Sequence, residues 1–256
     1  CIIYQIRIIV RQDKIAKLRE DFSYAMIHDM KTPLSSILMG TQILETGKLD
    51  TQPEKKARYF RILKEEGEHL LSLTNKVLTL SKLENHQLKL EKDTCCVRSM
   101  LEDLAEKYKA KAVKHIVYKW NLQADTVYAD EEFLKEALSN LIDNAVKYSG
   151  EEVEITFSSG KLSNEYYIKV HDTGFGIPLK DQSKIFEKYE RASAADRSRY
   201  GGSAGFGLGL NYVLRVAEVH GGRVTLESIE GEYSEFTIYL PNREDSIDKT
   251  CLNTNK

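Results

Sequence analysis

The chain has 256 residues, of which 41% are hydrophobic, which excludes disorder of the whole chain and leaves room for two domains. Its 37 basic and 39 acidic side chains give a net charge of −2, so no overall field favours nucleic acid as a partner. The four cysteines, Cys1, Cys95, Cys96 and Cys251, lack the spacing of a zinc site or disulfide framework, which fits a reducing compartment.

The first ten residues, CIIYQIRIIV, are apolar except for Gln5 and Arg7. A membrane-spanning helix needs about 20 such residues, so this stretch is either the end of an upstream transmembrane helix or the start of a dimerising helix. We favour a juxtamembrane or linker helix over residues 1–20, with an upstream membrane segment outside this chain. The reason is the run of basic residues that follows, as on a cytoplasmic flank: Arg11, Lys14, Lys17 and Arg19.

Heptad-spaced apolar residues then predict two long helices. The two seams consist of Ile27, Met30, Leu34, Ile37, Thr41 and Leu44, and of Leu63, Leu70, Leu73, Val77 and Leu80. Gly47 is expected to end the first helix and Pro53 to begin the second. Because one hairpin cannot cover its own apolar stripe, we expect two copies to form a four-helix bundle in a homodimer.

From Leu88 onward the periodicity changes to short alternating runs separated by helical stretches. The expected strands cover 88–91, 116–122, 153–157, 166–170, 224–229 and 236–240, and the expected helices cover 97–111, 131–147 and 208–219. This order predicts an α+β fold class, in which a helical hairpin (21–86) precedes a two-layer α/β sandwich (87–241). The polar residues 242–256 are expected to be a disordered tail.

The string HDMKTPL places His28 just beyond the first seam, so its imidazole should point outward at the edge of the bundle. A neutral imidazole nitrogen can attack a phosphoryl group, and Asp29 could accept the other ring N–H and raise its basicity. Thr32 shares the face of His28, so its hydroxyl could orient a water against a phosphorylated imidazole. A single exposed histidine is usually just solvated, and only the surrounding string favours chemistry here.

Polar residues also share one face of the helix predicted over 131–147. Asn140, Asn144 and Lys147 fall within about 60° of one another at 100° per residue. An amide oxygen suits Mg²⁺, and Lys147 could meet phosphate charge, while the ring of Tyr148 could lie beside a base or ribose. An ordinary polar helix face is the alternative interpretation of these residues in isolation.

Two glycine strings follow, the first directly after a predicted strand. Asp172, before Gly174 and Gly176, could accept a hydrogen bond from the exocyclic amine of adenine. The second string, GFGLGL (205–210), opens a helix whose N–H groups could hold polyphosphate. Between them, 179–204 is interpreted as a mobile lid. Each string alone is weak, and neither fits a Rossmann pattern. Gly47 and Lys48 do not form a P-loop either, because Leu49 follows them and no glycine precedes Gly47 by five residues.

Taken in order, these strings resemble the motifs of the sensor histidine kinases of two-component systems, over roughly Phe22 to Leu240. The matching strings are HDMKTPL (H box), NLIDNAVKYS (N box), DTGFGI (first glycine box), 186–189 (F box) and GFGLGL (second glycine box). The resemblance implies a dimerisation and histidine-phosphotransfer hairpin followed by an ATP-binding domain of the Hsp90, gyrase and MutL type.

For the whole protein, the resemblance implies autophosphorylation of His28 from ATP with Mg²⁺. The phosphoryl group would pass to an aspartate on the receiver domain of a response regulator, toward which phosphatase activity is also expected. The chain would then be the cytoplasmic portion of a bacterial inner-membrane protein. Asp29 would be the base or orienting group of His28, and Thr32 would help in dephosphorylating the regulator.

By the same resemblance, Asn144 would hold Mg²⁺ and Asp172 would bind the adenine amine. Lys147 would contact phosphate, Tyr148 the adenosine, and Arg191 the γ-phosphate. The full set implied for nucleotide binding is Asn140, Asn144, Lys147, Tyr148, Asp172, Gly174, Gly176, Arg191, Gly205, Gly207, Leu208 and Gly209.

Two rival functions are weighed against the kinase. One is a catalytically silent dimeric scaffold that binds nucleotide only to set its conformation, and a degenerate site of that kind would be expected to lack one of His28, Asn144, Asp172 or Gly207. The other is an ATP-driven clamp of the gyrase or MutL kind, which has no need of the H-box hairpin.

Overall fold

The computed structural model describes residues 30–84, 89–112, 114–187 and 208–242, together with a few isolated positions before residue 30. The chain divides into two compact units, Cys1–Lys82 and Leu83–Lys256. The described part of the first unit is helical, whereas the second combines strands and helices. The expected α+β fold class is therefore confirmed.

The first unit contains a helical hairpin. Helix α1 is described over residues 30–45, and helix α2 spans Pro53–Glu84, so the second helix begins at the proline that the sequence indicates. Gly47 adopts a φ of 67°, the left-handed conformation in which many helices terminate, which confirms the predicted end of the first helix. At Gly40 the two helices approach closely, since a Cβ there would lie 2.8 Å from Leu63 Cδ2.

A five-stranded sheet is the scaffold of the second unit. Its strands are β2 (His115–Leu122), β4 (Glu152–Lys161), β5 (Glu165–Asp172), β6 (Arg223–Ile229) and β7 (Tyr233–Pro241). They lie in the order β2-β4-β5-β7-β6, in which β2 and β4 are parallel and all other neighbours are antiparallel. Two short strands, β1 (Asp93–Cys96) and β3 (Thr126–Ala129), form a separate antiparallel pair.

Helices pack on one face of this sheet. They are α3 (Val97–Lys111), α4 (Glu131–Lys147), the single turn α5 (Leu179–Gln182) and α6 (Gly209–Val219). Alternate residues of β4 are fully buried, as a half-covered strand requires, and α4 buries a matching apolar stripe. The buried side chains of these two elements include Val153, Ile155, Phe157, Leu134, Leu138, Leu141 and Ile142. The expected two-layer α/β sandwich is confirmed.

The boundary of the first predicted strand is wrong. The sequence predicts a strand over 88–91, but residues 89–92 form none, and pairing begins at Asp93 opposite Ala129. The N–H of Glu91 donates instead to Asp130 Oδ2 at 2.8 Å, so a side chain takes the donor that a neighbouring strand would need. Strand β3 is absent from the prediction because four residues are too short to establish an alternation.

Candidate functional site

Helix α4 carries the polar face that the sequence singles out. Asn140 is buried, at 5% exposure, and its Nδ2 donates to the carbonyl of Glu136 at 2.8 Å. Asn144 and Lys147 are half-buried one and two turns further along the helix. A polar face this well covered is unusual for a helix that simply meets solvent, which favours a functional interpretation over an ordinary surface.

The face of α4 meets the start of α6 at Asn140. A Cβ placed on Gly209 would lie 3.4 Å from Asn140 Oδ1, so the N box and the second glycine box are in contact. Leu208 is buried and precedes the helix without a capping side chain. Backbone N–H groups at such a helix start can bind an anion, which places a phosphate-compatible element beside the polar face of α4.

The carboxyl-terminal end of α4 is held by a lysine that comes from outside every motif. Lys114 Nζ donates to the carbonyl oxygens of Val146 and Ser149, both at 2.7 Å. A cation at this position satisfies carbonyls that the helix leaves without an intrahelical donor and complements the helix dipole. Tyr148 lies between Val146 and Ser149 in the sequence, and it is 37% exposed.

Asp172 ends strand β5 in a buried position, at 6% exposure. The backbone N–H of Gly174 donates to its Oδ1 at 2.9 Å. Burial raises the pKa of this carboxyl from 3.8 to about 6, although the hydrogen bond from Gly174 and the nearby His171 act in the opposite direction. A carboxylate that costs free energy to bury is a candidate for binding a ligand's hydrogen-bond donor.

The first glycine loop follows Asp172 and contacts the end of α4. The N–H of Phe175 donates to the carbonyl of Tyr148 at 2.9 Å, and a Cβ on Gly174 would lie 2.5 Å from that same oxygen. Gly176 has a φ of 62°, and a Cβ there would collide with the carbonyl of Ile229. Glycine is required at both positions, at the first by close approach and at the second by backbone conformation as well.

The F box meets α6 through its first residue. The ring of Phe186 packs edge-on against Phe236, with ring centroids 6.3 Å apart. The side chain of Asn211 in α6 donates to the carbonyl of Phe186 at 2.9 Å. The residues on either side of the interval 188–207 are thus joined to each other and to the sheet.

The structure brings Asn140 together with Gly209, and Tyr148 together with Gly174 and Asp172, all in the second unit. Thr32 is exposed on α1 of the first unit. The remaining predicted site residues lie outside the described residues, and they are His28, Asp29, Arg191, Gly205 and Gly207. The same holds for Tyr189 of the F box and for most of the predicted lid.

Sequence reasoning misses the residues that hold this site in place. Lys114, Gln182 and Ser228 lie outside the motifs, and each donates to or accepts from backbone groups of a motif. The motif partners of Lys114 and Ser228 are distant in sequence, whereas Gln182 lies five residues after Ile177. The sequence offers a lysine before a predicted strand, a serine within one and a glutamine in the predicted lid, and none of these is specific.

The residues described here fit the nucleotide and magnesium that the sequence implies. No group of three or more His, Cys, Asp or Glu side chains that could bind a metal by themselves occurs among the described residues. The half-buried amide of Asn144 is the kind of single oxygen ligand that Mg²⁺ uses when phosphate oxygens and water complete its shell. The buried carboxylate of Asp172 suits the amine of an adenine ring.

Comparisons with protein families match both units. The model of the His Kinase A (phospho-acceptor) domain matches residues 18–86. The model of the histidine kinase-, DNA gyrase B-, and HSP90-like ATPase matches residues 129–244.

Similar curated proteins are sensor kinases. The sensor histidine kinase WalK of Bacillus subtilis (strain 168) is 28% identical over 94% of this chain and 39% of its own length. The circadian input-output histidine kinase CikA of Thermosynechococcus vestitus is 30% identical over 90% of this chain and 32% of its own. The chain therefore spans about two fifths or less of the length of these relatives.

Solved structures show the same fold. The full-length protein ShkA in complex with AMPPNP superposes with a TM-score of 0.63 at 28% identity, over 87% of this chain and 45% of that one. The Acinetobacter baumannii histidine kinase AdeS superposes with a TM-score of 0.62 at 24% identity, over 84% of this chain and 98% of that one.

Proposed function

The chain belongs to the sensor histidine kinases of two-component systems, and we propose that it binds ATP with Mg²⁺ and phosphorylates its own His28. The observation that carries the proposal is the contact between three motifs in one unit. The end of α4 binds the loop that follows the buried carboxylate of Asp172, and Asn140 contacts the start of α6 at Gly209. These contacts support a site in which backbone donors meet phosphate at one end and the carboxylate of Asp172 meets adenine at the other.

In this proposal the nucleotide is oriented by α4 and by the two glycine strings. Asp172 accepts a hydrogen bond from the exocyclic amine of adenine, and the ring of Tyr148 lies beside the adenosine. Lys147 and Arg191 meet phosphate charge, with Arg191 at the γ-phosphate. Backbone N–H groups hold the remaining phosphate oxygens, and they come from Gly205, Gly207, Leu208 and Gly209.

Mg²⁺ would be held by Asn144 next to Asn140, and when bound it supplies neutralisation of the phosphate charge. At the other reactant, a neutral ring nitrogen of His28 attacks the γ-phosphorus. The bond from that phosphorus to its bridging oxygen breaks, ADP leaves with the electron pair, and a nitrogen–phosphorus bond forms. Asp29 orients the imidazole and accepts the proton that the ring releases.

We further propose that the phosphoryl group passes to an aspartate on the receiver domain of a response regulator. An oxygen of that carboxylate attacks the phosphorus on His28, the nitrogen–phosphorus bond breaks, and the imidazole leaves with the electron pair, so that an acyl phosphate forms and His28 is restored. Thr32 is exposed on α1, one helical turn beyond His28 in the sequence, which suits a hydroxyl that orients water during dephosphorylation of the regulator.

A homodimer is proposed from the surface of the hairpin. Six large apolar side chains of α1 and α2 are each at least half exposed in the single chain: Leu34, Leu38, Met39, Phe60, Leu71 and Leu78. Apolar residues at this density on paired helices favour association, and a second copy would cover them as a four-helix bundle.

We infer that the chain has four segments. They are a juxtamembrane or linker helix over 1–20, the phosphotransfer hairpin over 21–86, the ATP-binding domain over 87–241 and a disordered tail over 242–256. We place the chain in the cytoplasmic portion of a bacterial inner-membrane protein. Among the residues that the structure describes, no helix has both the length and the apolar character to cross a bilayer.

Incubation with ATP labelled at the γ-phosphorus tests the function. The kinase predicts a label on the protein that is labile to acid, stable to base and absent from the His28→Ala variant. His69→Ala is the matched control, because His69 is an exposed histidine of α2 and its loss should leave the label unchanged. Hydrolysis of ATP without label would support the clamp instead, and nucleotide binding with neither outcome would support the scaffold.

A further inference from the structure

The backbone of Ile177, at the end of the first glycine loop, is held by two side chains from outside every motif. Its N–H donates a hydrogen bond to Ser228 Oγ at 2.8 Å, and its carbonyl accepts a hydrogen bond from Gln182 Nε2, also at 2.8 Å. The same amide of Gln182 donates to the carbonyl of Ser228 at 3.0 Å. Ser228 in turn donates through its hydroxyl to the carbonyl of Tyr233 at 2.7 Å. We name Ser228 and Gln182 the loop clamp.

The rest of the loop is fixed by the β6–β7 hairpin. The N–H of Gly231 donates to the carbonyl of Phe175 at 2.7 Å, and Gly176 lies directly against the carbonyl of Ile229. Backbone groups of Phe175 and Ile177 are therefore hydrogen-bonded to the β6–β7 hairpin, and Gly176 packs against it. A loop without regular structure obtains its conformation from such bonds, because it has no ladder or helix of its own.

This anchoring reaches Asp172 through a short backbone path. Gly174 donates to the carboxylate of Asp172, and the neighbouring Phe175 is bonded on both sides, at its N–H by Tyr148 and at its carbonyl by Gly231. The orientation of the carboxylate therefore depends on where residues 174–177 are held. A hydrogen bond depends steeply on distance and angle. A displacement of the Asp172 carboxylate by a fraction of an ångström would therefore weaken its hydrogen bond with the amine of adenine.

We propose that Ser228 and Gln182 are positioning residues that set the preference of this site for adenine nucleotides by fixing the loop that orients Asp172. The inference deepens the proposed function and rests on it, because it requires ATP to be the ligand. Neither residue touches the nucleotide in this account. Their effect is exerted through Ile177 and the glycine loop.

The clamp also explains why these side-chain types are needed. Ser228 must accept from one backbone group and donate to another, which a hydroxyl does and a methyl group does not. Gln182 must donate two hydrogen bonds from a single nitrogen to two carbonyls, which a primary amide does. Loss of either leaves a backbone group of Ile177 without its partner in a half-buried loop.

The test measures affinity for ATP and for GTP in the full chain, by competition against a fluorescent ATP analogue. Ser228→Ala should weaken ATP binding roughly 5- to 20-fold, as expected for an unsatisfied backbone group, with little change for GTP, which lacks the amine that Asp172 binds. Ser228→Thr, which keeps the hydroxyl, should restore most of the affinity. Thr225→Ala is the matched control, since it removes a hydroxyl from a half-buried position on the same strand.

A second variant keeps the test decisive if Ser228→Ala folds poorly. Gln182→Ala should also lower the ratio of ATP to GTP affinity, and the double variant should lose less than the product of the two single losses, because both act on Ile177. The rate of autophosphorylation at saturating ATP should stay within about twofold of wild type, whereas general destabilisation would lower it.

Equal losses for ATP and GTP, or unchanged affinity for both, would overturn the inference. So would a Thr225→Ala variant that behaves like Ser228→Ala. The proposed function fails separately, at the wild-type protein, if that protein does not bind ATP at all. If the wild type binds ATP and the Ser228 and Gln182 variants keep its preference for ATP over GTP, only the inference about these two residues is wrong.

Discussion

The carbonyl oxygen of Tyr148 accepts a hydrogen bond from the N–H of Phe175 at 2.9 Å, which joins the end of helix α4 to the loop after strand β5. Two motifs separated by a complete pair of strands thereby share one backbone contact. The contact leaves no room for a side chain, because Gly174 lies against the same oxygen. The joint between the polar face of α4 and the carboxylate of Asp172 is therefore fixed by backbone atoms.

Substitution of Gly174 by alanine should break this joint. The added Cβ would lie 2.5 Å from the carbonyl of Tyr148 and 2.7 Å from Asp172 Oδ1, so the loop must move away from both. Overpacking of this kind costs about 1–3 kcal/mol, and we expect ATP affinity to fall at least about tenfold. Titration calorimetry with ATP measures the effect.

Gly150 provides the matched control for that experiment. It lies just after the end of α4, and a Cβ there would meet nothing within 4 Å. Gly150→Ala should therefore bind ATP like the wild type. If both alanine variants bind ATP equally well, the close contact at Gly174 does not constrain the site.

The sequence predicts the elements that carry the site but not the contacts that hold it. Helices α3 and α4 begin and end where the hydrophobic periodicity places them, because each buries one continuous stripe. The motif residues are recognisable because glycine, asparagine and aspartate at short spacing are unusual within such elements. Lys114, Ser228 and Gln182 were not predictable, because each bonds to backbone groups 5 to 51 residues away and no local pattern encodes such a partner.

Replacement of Asp172 by asparagine should separate binding from stability. Asparagine keeps an oxygen that can accept the N–H of Gly174 but loses the charge that the adenine amine would bind. We expect ATP affinity to fall roughly 10- to 100-fold, as for a hydrogen bond to a charged group. Without nucleotide, the free energy of unfolding at pH 7 should rise, because a buried carboxylate no longer has to be ionised.

In the wild type, ATP affinity and the free energy of unfolding should depend on pH in opposite directions. The pKa of Asp172 is raised from 3.8 to about 6 in the fold, so its contribution to stability is fully present below pH 3.8 and is lost as pH rises through about 6. ATP affinity should change in the other direction and fall as pH drops below about 6, since the amine needs the ionised acceptor. Asp172→Asn should bind ATP with no inflection near pH 6, and an unchanged inflection would assign it to another group.

Lys114 should contribute to both stability and ATP affinity, although it lies outside the motifs. Lys114→Met removes the ammonium that donates to the carbonyls of Val146 and Ser149. The carbonyl of Val146 keeps the hydroxyl of Ser149 as a donor at 2.9 Å, whereas the carbonyl of Ser149 loses its donor, and an unsatisfied carbonyl costs about 1–3 kcal/mol. Urea denaturation should show this loss of stability. ATP affinity should fall as well, because Tyr148, which is proposed to contact the adenosine, lies between Val146 and Ser149 in the sequence. Lys114→Arg should recover part of both.

The control for Lys114 is a lysine on the outer surface of α4. Lys135 pairs with Asp103 at 2.6 Å, and exposed pairs of this kind contribute about 0–1 kcal/mol. Lys135→Met should therefore change neither stability nor ATP affinity appreciably. Equal effects of the two methionine variants would mean that Lys114 contributes only as a surface charge.

A buried histidine, His220, joins the end of α6 to the start of α4. His220 is 3% exposed, its Nε2 accepts the N–H of Asp130 at 2.9 Å, and its Nδ1 lies 2.7 Å from the carbonyl of Val216. These partners assign the proton to Nδ1, so the ring is neutral and both nitrogens are satisfied. A second proton, on Nε2, would face the N–H of Asp130 and break that bond.

Burial lowers the pKa of His220 below its ordinary value of 6.5, and the positive charge of Lys92 lowers it further, while the bond to Val216 and the charge of Asp130 oppose these effects. Because the unfolded chain binds the proton more readily, the free energy of unfolding should fall as pH drops below 6.5. His220→Gln removes the titrating ring, so the difference in stability between wild type and variant should shrink at low pH. A wild type whose stability advantage over His220→Gln is the same at pH 7.5 and at pH 5 would show that the ring is not held neutral by the fold.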